Sequence, residues 1–252
     1  VSTTRFLTLN ATDRFSTTLD TAHGTTRHDD PSGRFPFENA LNPDRRQVWK
    51  SDGSSNVVVT IKNSSFFDME SVAVLGISTE GTIDSVEVSF SVDGATWFAT
   101  PRPTLNLSGV RDAGAFVVAR NFWPIYARFS FTNTGAFSIG RIFLGLQTDT
   151  GKVHSPGGED TVFKNRLELG SDDGNVNVVP LGYDGENISL PFRSLKGLER
   201  NTLRSVAAWP GSVVLFDTED RVLECIVNGG QVKTVRTFVD TYDCILTLTR
   251  LP

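Results

Sequence analysis

Ser91-Val92-Asp93-Gly94-Ala95-Thr96-Trp97 follows Val86, Val88 and Phe90, which alternate with Glu87 and Ser89. A period of two sends successive side chains to opposite faces of an extended chain, so Val86 to Val92 reads as a half-buried strand. Asp93-Gly94 then supplies a turn. The same alternation flanks it on both sides. Val57, Val59 and Ile61 repeat it upstream, and Ile125, Ala127, Phe129 and Phe131 alternate downstream with Tyr126, Arg128 and Ser130. Ile139 to Leu146 is a nearly continuous apolar run, as expected of a strand buried on both faces. An all-β domain is the expected result.

The order of short motifs around that strand adds to this. Glu38-Asn39-Ala40-Leu41-Asn42-Pro43-Asp44 precedes Trp49-Lys50-Ser51, the Asp93-Gly94 turn and its Trp97 follow, and Tyr126-Ala127-Arg128-Phe129 comes last. That order resembles the discoidin, or coagulation-factor 5/8 type C, family of galactose-binding-like β-sandwiches. The resemblance covers a little under half the chain and implies a jelly-roll module that binds or assembles rather than catalyses. It also implies that Trp49 and Trp97 are core positions, consistent with the tendency of large aromatics between strands to pack. Discoidin-like modules often hold Ca²⁺ after the Asn-Ala-Leu motif. Here Asn42, Pro43 and Asp44 are followed by Gln47 at the approximate place of the usual Thr. So few hard oxygens give no expectation of a bound ion.

Composition agrees with this class. In 252 residues, 38% hydrophobic and 21% charged side chains describe a globular chain, and Phe (18) with abundant Thr, Ser and Val favours strands. The formal charge of −5 argues against duplex nucleic acid as main partner, since phosphate neutralisation needs a concentrated basic surface. Arg45-Arg46 reads as a solvated loop. No apolar run has the length needed to cross a bilayer, so no membrane insertion is expected. Val1 to Arg5 shows neither a charged leader nor an apolar segment. Cys225 and Cys244 both fall in expected strands, where free thiols behave as small buried hydrophobes, although a bridge between neighbouring strands stays open.

The chain is divided on composition. Residues 1–34 read as an N-terminal arm, 35–150 as the discoidin-like sandwich, 151–160 as a Gly- and Pro-rich linker, and 161–252 as a second, smaller β-sandwich or barrel. Within the last part, Val222 to Val227 and Gln231 to Val235 flank Asn228-Gly229-Gly230, which predicts a hairpin turn there. Leu198 to Ala208 is the best short helix candidate, with Leu198, Leu203 and Val206 on one face and Trp209-Pro210-Gly211 ending it.

Chemistry-bearing motifs are sparse. His23, His28, Asp29 and Asp30 cluster in a polar, turn-rich stretch, but their spacing matches no zinc signature and a solvated loop is expected. His154 stands alone. No nucleophile elbow, phosphate-binding glycine loop or Cys-x-x-Cys occurs, so no catalytic, metal or cofactor-binding residue is assigned and no enzyme is expected. Trp123 and Trp209, each before a proline, are better candidates than Trp49 or Trp97 for exposed contacts.

The layout of the C-terminal part also resembles distal tail proteins of long-tailed bacteriophages. That likeness implies a structural virion protein of the tail tip or baseplate, assembled in the host cytoplasm. It would form a ring with copies of itself, contact neighbouring tail proteins and possess an optional host-glycan surface. The alternative is a carbohydrate-binding module of a secreted or surface protein, holding sugar with loop aromatics and an arginine at one end of the sandwich.

Overall fold

The computed structural model describes residues 3–10, 17–20, 22, 29, 31–42, 47–66, 69–77, 82–98, 104–106, 113–152, 160–163, 166–170, 176–180, 185–216 and 222–250. Strands dominate and one α-helix accompanies them among these residues, so the chain is all-β. It forms two compact units, residues 7–147 and residues 1–6 with 148–252. The division thus falls at Gln147/Thr148 rather than within 151–160. The segment expected to be an arm or an N-terminal strand contributes β1 (Arg5–Asn10) and β2 (Thr17–Leu19). Phe6 of β1 is fully buried in the core of the C-terminal unit. His23, His28, Asp30, Arg45, Arg46, His154 and most of 151–160 lie outside the described residues.

The sandwich unit continues with β3 (Trp49–Lys50), β4 (Val57–Asn63), β5 (Met69–Leu75), β6 (Thr82–Ser91) and β7 (Thr104–Asn106). It ends with β8 (Ala113–Phe122), β9 (Tyr126–Thr134), β10 (Ser138–Ile139) and β11 (Arg141–Asp149). One antiparallel sheet has the order β2-β4-β9-β6-β7. Strand β5 lies between β11 and β8, also antiparallel. The expected alternation holds: Val86, Val88 and Phe90 point inward with Val57, Val59, Ile61, Ala127, Phe129 and Phe131. They meet Val72, Val74, Ile142 and Leu144 from the other sheet. Strand β11 is buried on both faces from Arg141 to Gly145, as its apolar run requires.

The Asn-Ala-Leu motif forms a 3₁₀ helix, Phe37–Leu41, whose Phe37, Ala40 and Leu41 are buried. Asp29 fixes its start by accepting the Phe37 N–H at 2.9 Å, a structural use of one member of the His/Asp cluster. The Asn39 side-chain amide donates to the Val48 carbonyl at 2.9 Å and so ties the motif to the strand that carries Trp49. Trp49 is 1% exposed and meets Phe37, Phe137 and Phe131 edge-on, with ring centroids 5.0, 5.1 and 5.5 Å away. The expected core role is correct for this tryptophan.

The C-terminal unit holds β12 (Asp160–Phe163), β13 (Arg166–Gly170), β14 (Val176–Pro180) and β15 (Gly185–Leu195). Helix α1 (Gly197–Ala207) then precedes β16 (Val213–Phe216), β17 (Val222–Phe238) and β18 (Thr241–Arg250). The sheet order is β12-β15-β18-β17-β16, and β13 pairs with β14. Glu199 reaches back from the first turn of α1 to accept the Lys196 N–H at 2.7 Å. Leu203, Val206 and Ala207 pack on Phe192, Leu215, Cys225 and Leu246, whereas Leu198 is exposed rather than on the buried face. At 3.6 residues per turn, Leu198 lies about 140° around the helix axis from Leu203.

Two expectations change here. Asn228-Gly229-Gly230 is not a hairpin turn but a wide bulge inside β17, between the pairs Val227↔Leu248 and Val232↔Leu246. Both glycines take positive φ, 67° and 61°, which serves a bulge as well as a turn. The true reversal comes later, where Asp240 has φ 57° between β17 and β18. Cys225 and Cys244 are buried free thiols on neighbouring strands. Cys225 lies opposite Arg250 and Cys244 opposite Thr234. Six residues of β18 between those rows correspond to about 20 Å, far beyond disulfide reach.

Candidate recognition surface

Three connections of the sandwich unit meet at one end of its five-stranded sheet. The chain leaving β4 passes through Asn63 to Phe66, the chain leaving β6 turns through Val92 to Phe98, and Trp123-Pro124-Ile125 joins β8 to β9. Backbone bonds hold them together: Asn63 N–H donates to Ile125 O at 2.9 Å and Ile125 N–H to Ser91 O at 3.0 Å. Each connection displays a large apolar side chain. Phe66 is 53% exposed, Phe98 48% and Trp123 57%, with Val92 beside them in sequence. The expectation for Trp123 is thus met; Trp209 instead sits half-buried against the C-terminal core.

The turn after β6 is rigid for a reason written in its residues. Asp93 accepts the Ala95 and Thr96 N–H groups at 2.9 and 2.8 Å and the Ser91 hydroxyl at 2.9 Å, while Gly94 N–H donates to Ser91 Oγ at 2.8 Å. Gly94 supplies the positive φ of 75°. The donors favour the charged form of Asp93, first the Thr96 amide and then the Ala95 amide. They lower its pKa from 3.8 to about 2.

That turn corrects the reading of Trp97. Phe98 returns opposite Phe90 through two backbone bonds, Phe98 N–H to Phe90 O at 2.8 Å and Phe90 N–H to Phe98 O at 3.3 Å. Strand alternation then sends Trp97 to the outer face of the sheet and away from the core. There it is half-buried, with the Arg128 guanidinium 3.7 Å from its ring centroid. Burial pushes the Arg128 pKa down, and the Asp20 carboxylate offsets part of that shift. Arg128 Nε also points to Thr60 Oγ1 at 3.4 Å. One row closer to the loops, the register Lys62↔Tyr126↔Ser91 places the Lys62 ammonium over the Tyr126 ring, 5.4 Å from its centroid.

The surface therefore combines exposed rings on pinned loops with two ring-backed cations and hydroxyl-bearing strands. Such an arrangement can stack on a flat, partly apolar ligand and hydrogen-bond its polar edge. The described residues contain no group of three or more His, Cys, Asp or Glu that would hold a metal. Sequence reasoning named Trp123 but missed Phe66, Phe98, Lys62 and Arg128. Arg128 was visible as an outward position of β9, yet nothing in the sequence places Trp97 over it.

No protein-family model matches the chain, and no curated protein sequence matches it. Among solved structures, CBM32-3 from a family 31 glycoside hydrolase of Clostridium perfringens is 20% identical, with TM-score 0.42, covering 55% of this chain and 94% of that one. The family 32 carbohydrate-binding module of C. perfringens NanJ, solved with galactose, is 12% identical with TM-score 0.41, covering 56% and 98%. A chitosan-binding module from a chitosanase/glucanase of Paenibacillus sp. IK-5 is 14% identical with TM-score 0.38, covering 54% and 96%. The saccharides in those descriptions belong to those proteins.

Proposed function

We propose that the sandwich unit is a non-catalytic carbohydrate-recognition module. The observation that supports this reading is that Phe66 and Trp123 are exposed on loops bonded to the end of the sheet whose outer face carries the Lys62–Tyr126 and Arg128–Trp97 pairs, with Phe98 exposed on the Phe90 side of the same end. Rings supply a stacking surface for the C–H face of a pyranose, and pinned loops limit the entropy lost on binding. A glycan array followed by calorimetry on the full chain tests it. The double variant Phe66→Ala/Trp123→Ala should keep its fold and lose at least about tenfold in affinity, equivalent to roughly 1.4 kcal/mol. Unchanged affinity in that variant overturns the assignment.

A second reading, a ring-forming structural protein of a bacteriophage tail tip, needs contact between subunits, and one observation in the C-terminal unit bears on such contact. The far end of the β17–β18 hairpin leaves Phe238 77% and Val239 80% exposed, and Val235 is exposed beside them. Exposed apolar side chains on a strand hairpin suit contact with another subunit. Electron microscopy of the purified protein and antibody labelling of virions are the tests. Closed rings and label at the tail end opposite the head are expected under this reading, and label absent from virions rules it out. A tail protein with a glycan-binding sandwich satisfies both readings.

A further inference from the structure

Resting on the carbohydrate reading, we infer that the outer face of the five-stranded sheet selects saccharides bearing a carboxylate, with Lys62 as the residue that reads the charge. Lys62 is exposed at the loop end of β4 and directly precedes Asn63, whose N–H joins the three loops. Its ammonium is held over the Tyr126 ring, and no ion pair to Lys62 occurs among the described residues. Tyr126 is 7% exposed, so its ring is a fixed floor under the cation and not a mobile neighbour. A cation held over a ring keeps its outer hydrogen-bond donors free to meet an anion.

The adjoining row differs, and the difference supports the assignment. Thr60↔Arg128↔Ser89 lies two residues further along the sheet, or about 7 Å. Arg128 is committed to the Trp97 ring and shares its field with the Asp20 carboxylate. Glu87, one row beyond on the same face, is half-buried beside Ser130. Asp20 and Glu87 therefore offset positive charge away from the loops, whereas near them the Asp93 carboxylate is engaged by the Ala95 and Thr96 amides and the Ser91 hydroxyl of its own turn, and Lys62 has no carboxylate partner among the described residues. The exposed rings of Phe66 and Trp123 flank this same end. A sugar stacked on those rings would present a ring carboxylate to Lys62, while a neutral sugar would offer it hydroxyls alone.

Two probe pairs test this with the full chain: sialyllactose against lactose, and cellobiouronic acid against cellobiose. The expected result is that an acidic member binds at least about tenfold tighter than its neutral partner at 50 mM salt, with the gap closing at 500 mM as surface charges are screened. Lys62→Met should bring the affinity ratio within each pair to about one, and Lys62→Arg should restore the preference. Equal affinity within both pairs, or a preference that survives Lys62→Met, overturns the inference and leaves the carbohydrate reading standing. No measurable binding of any saccharide, on the array or by calorimetry, overturns the carbohydrate reading itself.

Discussion

At the scale of single residues, two tryptophans from one motif series have opposite fates. Trp49 fills the core, so Trp49→Ala should cost about 3–5 kcal/mol in chemical denaturation, as large-to-small core changes do. Its indole N–H is buried without a hydrogen-bond acceptor among the described residues. Trp49→Phe removes that donor along with some volume, and should therefore cost clearly less than Trp49→Ala. Equal losses for the two variants would show that the volume filled by the ring does not set the cost at this site. Trp97 should behave differently: half-buried on an outer face, Trp97→Ala should cost less than Trp49→Ala. The sequence could not separate these two residues, because the family resemblance gives both the same core role and only the Phe90–Phe98 pairing decides which face Trp97 takes. Asp93 was legible as a turn residue, and its charge state was not. Because its folded pKa is below 3.8, its contribution to stability is present above about pH 4 and is lost as pH falls toward 2. Carboxyl chemical shifts should titrate at about 2, and Asp93→Ala should flatten that acid limb. A shift curve centred near 4 would mean the turn is not formed as described.

At the scale of elements, alternation was read correctly where one face meets a core, over Val86 to Phe90, Ala127 to Phe131 and Val57 to Ile61, whereas Val92 and Ile125 of the same patterns lie beyond the strand ends and Val92 is exposed. Helix α1 was legible too, since Trp209-Pro210-Gly211 ends it where its backbone can no longer continue. The failure at Asn228-Gly229-Gly230 has a physical cause. These residues announce positive φ, but a turn and a bulge need the same dihedrals, and the partner strand decides between them. Here β18 runs past the bulge without a matching interruption between Leu246 and Leu248. At Gly229 an added Cβ would meet nothing within 4 Å, so Gly229→Ala is opposed by backbone conformation alone and should cost about 1–2 kcal/mol. Gly229→Asn should cost less, because Asn tolerates the left-handed region. If both variants unfold at the wild-type denaturant midpoint, the bulge is not held in that conformation in solution.

At the scale of the whole molecule, the strand-rich composition conveyed the class, while the domain map followed loop composition and missed how the ends are used. Polar, turn-rich sequence before Phe35 hid the fact that Phe6 is fully buried with Ile188, Leu190 and Val213, residues far away in the chain. The sandwich core draws on Phe37 to Leu144 and shares no residue with that second core. Each unit therefore possesses its own buried apolar cluster, and a chain of about 140 residues buries enough surface to fold alone. Residues 7–147 expressed by themselves should give a cooperative melt and a dispersed NMR spectrum. They should also bind the same saccharides as the full chain, since Lys62, Phe66, Phe98, Trp123 and Arg128 all lie inside them. The same piece should lose any ring assembly, because Phe238 and Val239 are absent from it. Sugar binding by 7–147 without assembly would assign the two proposed functions to separate units. A piece that is folded yet binds nothing the full chain binds would place the recognition surface outside the sandwich, against the geometry of its three loops.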